Sequence, residues 1–174
     1  RVFAAAGVTC FILRYRLPGD GWDGGGDTPL QDAQRAMRII RAEASGFSID
    51  PARLAVLGAS AGGHLAGMLS SAPDEATYDP IEPRDDLSAR PDISILLYPV
   101  VTMAPPFAHM GSRGHLIGAD ASEHRTAIWS LQNRVTPQTP ATFLLHAMDD
   151  EAVPPENSMM LLAALREAGV PVEA

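Results

Sequence analysis

The sequence predicts an α/β fold, a parallel β-sheet covered by helices on both faces. Three observations carry this. Short apolar runs rich in β-branched residues alternate with amphipathic helical segments. At residues 53–61 strand passes to helix with almost no loop. Of the 174 residues, 46% are apolar, enough to bury one core. Strands alternating with helices imply right-handed crossovers between parallel neighbours. With no internal repeat and no composition break, residues 1–174 read as a single domain.

Taken in order, Val2-Phe3-Ala4-Ala5-Ala6-Gly7 reads as the last turns of a helix closed by glycine. Residues 8–17 (V-T-C-F-I-L-R-Y-R-L) are apolar on both faces for much of their length, the pattern of a buried parallel strand. A loop over 18–27 carries Gly24-Gly25-Gly26, expected to serve as a flexible connection. Thr28-Pro29-Leu30-Gln31 then predicts a capping box, with threonine as cap, proline in the first turn and glutamine three positions on. The helix that follows has Leu30, Ala33, Met37, Ile40 and Ala44 on one stripe and Arg35, Arg38 and Arg41 off it. Residues 53–58 form a short apolar strand, and 61–70 a helix of small residues. A polar stretch over 71–91 leads to a strand at 93–98, and a further strand at 142–146 precedes the acidic turn Met148-Asp149-Asp150-Glu151. Between these two strands lies a long excursion rich in Pro, Gly and His, a candidate binding region. Pro154 and Pro155 open a last helix closed by Gly169, and Val170–Ala174 begins another strand. Both ends read as cut inside an element, so the domain is expected to be incomplete at both termini.

Composition narrows the function. Acidic residues outnumber basic ones 21 to 13, a net charge of -8 that argues against nucleic acid and anionic membrane surfaces as partners. Cys10 is the single cysteine, so neither an internal disulfide nor a thiolate metal cluster is expected. No apolar stretch reaches the roughly 18 residues of a membrane span, and no signal peptide opens the chain.

Gly58-Ala59-Ser60-Ala61-Gly62 fits G-x-S-x-G at the strand-to-helix junction. A serine hydroxyl is a poor nucleophile, so its turn must present it clear of the backbone to a histidine that takes its proton. Small neighbours fit that crowded turn: the glycines two before and two after are expected to let strand and helix approach. The helix beginning at Ala61 aims its N–H, and the positive end of its dipole, at a developing oxyanion. The pattern G-x-G-x-x-G of a dinucleotide site is missing. Asp150 follows a strand end, where a carboxylate can orient a histidine; on the residues alone Asp149 and Glu151 compete with it. His64, one turn after Ser60, is expected to pack beneath the elbow, and His146 to anchor its loop. His109, His115 and His124 precede the acid, against the chain order Ser, Asp, His.

These residues carry a resemblance. Arg14-Tyr15-Arg16-Leu17, Gly58-Ala59-Ser60-Ala61-Gly62-Gly63-His64-Leu65-Ala66, Tyr98-Pro99-Val100, Gly111-Ser112-Arg113 and His146 through Ser158 are together similar to the α/β-hydrolase esterases related to acetylxylan and feruloyl esterases. The resemblance implies the α/β-hydrolase fold, a three-layer αβα sandwich present here in part. Its pattern D-x-x-V-P-x-x-N-S, beginning at Asp150, singles out Asp150 as the acid. It further implies Ser60 as nucleophile, Ala61 N–H as one oxyanion donor, a catalytic histidine after Ala174, and a second oxyanion donor from a glycine-rich loop before Arg1. Gly24-Gly25-Gly26 follows the wrong strand to be that loop.

The activity so implied is serine carboxylic-ester hydrolysis, removing a small acyl group such as acetyl from a carbohydrate or other alcohol, with no metal or organic cofactor. The segment alone is expected to be inactive. Two alternatives remain: a prolyl-oligopeptidase-like peptidase with the same triad, and a non-catalytic pseudo-hydrolase that binds a ligand or partner.

Overall fold

A computed structural model describes residues 2–174. After the short helix α1 (Val2–Ala5), the elements run α2 (Thr28–Ala42), β1 (Ala55–Ala59), α3 (Ala61–Ser71), β2 (Ile93–Leu97), α4 (Met110–Ile117), α5 (Glu123–Ile128), β3 (Ala141–Leu145), α6 (Glu156–Glu167) and β4 (Val172–Glu173). All strands are parallel, in the order β1-β2-β3-β4, with Ala59 beside Leu97 and Leu97 beside Leu145. Sequential order brings the C-terminal ends of β1, β2 and β3 to one edge, where open α/β sheets place their ligands.

The strands alternate as period-2 elements must. Gly58, Ser94, Leu96, Thr142 and Leu144 are buried. They face α3 and α6: Ser70 of α3 donates to Ser94 Oγ (3.1 Å), and Leu161 and Leu165 of α6 close over Ser94, Leu96 and Thr142. The opposite face carries Leu57, Ile93 and Leu145, each about half exposed. The helix-flanked parallel sandwich expected from the sequence is thus present in partial form. Its core joins Leu30 and Met37 of α2, Leu69 of α3, Leu96, Val100, Val101, Met103, Leu131, Leu144 and Leu165.

Three local expectations are corrected. Residues 8–17 form no strand: β1 pairs with β2 alone among the described residues, and a strand exists only where a neighbour takes its backbone hydrogen bonds. The capping box before α2 is not made. Asp27 occupies the cap position, Thr28 is buried, and Gln31 instead donates to the Thr77 carbonyl (2.7 Å), because burial against the 72–77 loop outbids the local cap. The glycine run is packed rather than flexible. A side chain at Gly26 would lie 2.6 Å from the Leu116 carbonyl of α4, and one at Gly24 2.7 Å from Thr28 Oγ1.

The arginines off the α2 stripe organise the polar stretch 71–91. Arg35 pairs with Asp85 (2.6 Å) and Glu82 (2.5 Å), Arg38 with the Tyr78 hydroxyl (2.7 Å) and the Leu87 carbonyl (2.9 Å), and Arg41 with the carbonyls of Ser88 (3.1 Å), Pro51 and Arg90 (2.5 Å). Burial pushes the Asp85 carboxyl up. Hydrogen bonds from Ile81 N–H, the Tyr78 hydroxyl, Glu82 N–H and Arg35 outweigh it and hold the group at about 2.

Candidate active site

Ser60 sits between β1 and α3 with φ 54° and ψ −123°, a region that non-glycine residues avoid and that costs of order 1–3 kcal/mol. The surroundings impose it. Ser60 N–H donates to the Leu97 carbonyl (3.0 Å), and the Ser60 carbonyl accepts from His64 N–H (3.1 Å) and Val100 N–H (3.1 Å). The turn is thereby fastened both to the helix it begins and to the exit of the next strand. Its neighbour across the sheet, Tyr98, also has positive φ, 36°. Two strained residues side by side at the C-terminal edge mark where the fold stores strain. Nothing in the sequence pattern reveals Tyr98, since a residue before proline ordinarily takes an extended conformation.

The glycines do not share the work evenly. A Cβ on Gly58 would stand 2.1 Å from the Gly62 carbonyl oxygen and 2.9 Å from Ala66 Cβ, and one on Gly63 2.9 Å from Pro99 Cβ. At Gly62 the space is open. The close approach therefore depends on Gly58 and Gly63, which corrects the expectation that Gly62 shares it.

Ala61 opens α3 and is exposed, and its N–H has no acceptor among the described residues. Such a first-turn amide is free to bind an anionic oxygen. Ala61 also lines a pocket of about 560 Å³, whose walls include Leu65, Met68, Met103, Leu116 and Trp129, with Asp20, His109, Ser112 and His115 among the polar groups. One wall, residues 15–20, is held by Arg16, which grips Asp32 through its guanidinium (2.6 and 3.0 Å) and its own N–H (2.8 Å). Another is α4, held by the buried Arg113. That side chain donates to the Met103 carbonyl (2.7 Å), the Thr126 hydroxyl (2.9 Å) and the carbonyls of Ala119 and Ala121 (both 3.3 Å). The long excursion after β2 thus contributes to the pocket, as its composition indicates.

Asp150 lies after β3, two strands from Ser60. At roughly 4.8 Å per strand spacing, the ends of β1 and β3 stand about 10 Å apart along the edge. Asp150 Oδ1 accepts from Ala152 N–H and Val153 N–H, both at 2.9 Å, and the Val153 bond does most to hold the carboxyl below its usual range. Asp149 and Glu151 are exposed.

The pattern D-x-x-V-P-x-x-N-S is a set of contacts. Val153 is buried, its N–H on Asp150 and its carbonyl on His146 Nε2 (2.8 Å). Asn157 is fully buried and uses its whole amide. Oδ1 accepts from Val101 N–H (2.8 Å) and Thr102 N–H (3.1 Å), and Nδ2 donates to the Phe107 (2.9 Å) and Pro154 (3.0 Å) carbonyls. It ties the acid turn to the exit of β2. Ser158 reaches His146 Nδ1 at 2.7 Å.

Among the described residues, no histidine ring is hydrogen-bonded to the Ser60 hydroxyl. His64 packs beneath the elbow as expected: its Nε2 donates to the Trp129 carbonyl (2.8 Å), and complete burial holds it at about 4, hence neutral. His146 anchors its loop, both nitrogens engaged. His109 caps α4 through Ser112 N–H (3.1 Å). His115 and His124 are exposed.

The BD-FAE family matches residues 3–165. The chain is 38% identical over 143 residues to endo-1,4-beta-xylanase B of Butyrivibrio fibrisolvens, covering 82% of this chain and 22% of that protein. It is 33% identical over 167 residues to the acetylxylan esterase of Xylanibacter ruminicola, covering 94% and 32%. Among solved structures, the acetyl ester-xyloside bifunctional hydrolase of Caldicellulosiruptor lactoaceticus superposes with a TM-score of 0.89 at 39% identity, covering 98% of this chain and 61% of that one. The chain therefore spans less than two thirds of each of these three proteins.

Proposed function

The chain belongs to the BD-FAE family, and on that premise we propose that it carries the nucleophile and acid of a serine carboxylic-ester hydrolase that removes a small acyl group, acetyl in the first instance, from a carbohydrate. The observation that carries the reading is the strained Ser60 turn followed by Ala61, which lines a pocket and whose N–H has no acceptor among the described residues. The relatives' own names, acetylxylan esterase and acetyl ester-xyloside hydrolase, supply the substrate class.

In this mechanism Ser60 Oγ attacks the ester carbonyl carbon while a histidine outside residues 1–174 accepts the hydroxyl proton. The carbonyl oxygen becomes an oxyanion facing Ala61 N–H. Loss of one such donor typically costs on the order of 10²–10³ in rate. The tetrahedral adduct collapses, the C–O bond to the alcohol breaks, and the histidine returns its proton to the departing oxygen. Water, deprotonated by the same histidine, cleaves the acyl-Ser60 ester to give the carboxylic acid and free serine. Asp150, ionised throughout the neutral range, fixes the imidazole's tautomer and supports its positive charge.

The test uses the full-length protein with p-nitrophenyl acetate and acetylated xylan. We expect acetate release, a covalent adduct on Ser60 after treatment with a fluorophosphonate, and a loss of at least about 10⁴-fold in kcat for Ser60→Ala. An unlabelled Ser60 together with undiminished turnover of Ser60→Ala would refute the reading.

A further inference from the structure

The His146 ring is almost enclosed, its side chain 4% exposed, and both of its nitrogens are used. The Val153 carbonyl can only accept a hydrogen bond, so His146 Nε2 carries the proton. In the neutral ring Nδ1 is then the acceptor, and the Ser158 hydroxyl donates to it. One continuous path results: Ser158 Oγ–H to His146 Nδ1 (2.7 Å), His146 Nε2–H to the Val153 carbonyl (2.8 Å), and Val153 N–H to Asp150 Oδ1 (2.9 Å). It runs from the first turn of α6 through the end of β3 to the acid. Asp150 Oδ1 is committed to the turn by two N–H groups. Oδ2 makes no hydrogen bond among the described residues and lies 3.6 Å from His146 Nε2, too far for a full bond. Asp150 is the acidic group within 4 Å of the ring among the described residues.

On the assignment of Asp150 as the acid, we propose that His146 and Ser158 are positioning residues for the hydrolysis. The Ser158–His146–Val153 path fixes the 150–153 turn so that Oδ1 is spent on its own backbone and Oδ2 is left for the catalytic imidazole. The ring is not placed as the general base for Ser60, because both of its nitrogens are engaged within its own loop, Nδ1 with Ser158 and Nε2 with the Val153 carbonyl. An apolar ring of similar size would fill the same space but leave the Val153 carbonyl and the Ser158 hydroxyl without their partner. The turn would then be free to rotate the carboxylate away from the imidazole.

The experiment compares His146→Phe, His146→Gln, Ser158→Ala and Asp150→Asn in the full-length protein, measuring kcat, KM and the pH profile of kcat/KM on p-nitrophenyl acetate. His146→Phe should lower kcat about 10- to 100-fold with KM within about threefold, the size of effect seen when a group that orients an active-site ligand is removed. The acidic limb of the profile should move to lower pH, since a misplaced carboxylate no longer favours the protonated imidazole. His146→Gln, which keeps an N–H for the Val153 carbonyl, should recover most of the rate, and Ser158→Ala should fall between Gln and Phe. A His146→Phe variant that melts earlier yet keeps the wild-type kcat and acidic limb would show a structural role only and overturn the proposal. If His146→Phe does not fold, Gln and Ser158→Ala decide: an unmoved limb and full kcat in both overturn it equally. Asp150→Asn separates the two levels. Its full activity would remove the reading of the site itself, whereas its collapse beside normal His146 variants would remove only this inference.

Discussion

At Ser60 close packing adds to the backbone hydrogen bonds: Gly58 and Gly63 let strand, helix and the Pro99 turn touch around the strained residue. Asp150 lies two strands along the same edge. The turn is held by hydrogen bonds from its own amides, from His146 and from Asn157. Packing tolerates no extra atom but is indifferent to polarity. A hydrogen-bonded turn tolerates small changes of shape but not the loss of a donor or acceptor. The proposed nucleophile sits in the first kind of site, and the proposed acid, which would have to accept a partner, in the second.

That contrast can be broken by experiment, beginning with the largest effect. Asp150→Asn keeps the shape of the turn and an oxygen for the Ala152 and Val153 amides, so melting should barely change. The full-length enzyme should nonetheless lose about 10⁴-fold in kcat, roughly 5 kcal/mol of transition-state stabilisation; a comparable fall in Tm would mean the turn is not held as described. Gly58→Ala should act oppositely, destabilising by about 3 kcal/mol or more because the clash is with backbone, and should appear first as a lower denaturation midpoint. Asn157→Ala leaves the Val101 and Thr102 N–H groups and the Phe107 carbonyl without their partner and should cost about 2–4 kcal/mol, read by urea unfolding. Gly62→Ala should be the mildest, within about 1 kcal/mol, and a loss matching Gly58→Ala would contradict the open space at that position.

A pH titration adds an element of the elbow that hydrogen bonds alone do not explain. His64, neutral in the fold and held at about 4, binds its proton more readily when unfolded, near 6.5. Between these values the unfolded state holds more protons, so stability is full above about pH 6.5 and falls as pH drops toward 4, by on the order of 3 kcal/mol. His64→Phe should flatten that slope. Asp85 works in a lower window: its depressed carboxyl contributes stability above about pH 4, lost as pH falls toward 2.

Local signals account for what was legible in advance. The elbow could be read from five residues because strand, turn and helix there are adjacent in sequence, and β1, β2, β3 and α6 lie close to where periodicity puts them. The Asp150 motif was visible only as a pattern. Its reasons are spread over contacts between positions as far apart as 101 and 157.

The sequence by itself determined a parallel α/β domain with a serine on a strand-to-helix turn, because side-chain period and small-residue crowding act over a few residues. Only the tertiary structure decided that residues 8–17 stay out of the sheet, that Gln31 abandons its helix cap for the Thr77 carbonyl, and that Gly24-Gly25-Gly26 is packing. It alone decided that His146, Ser158 and Asn157 hold the acid turn. The His146, Gln31 and Gly26 outcomes depend on which groups meet across 12, 46 and 90 positions of chain, and no local pattern encodes those meetings.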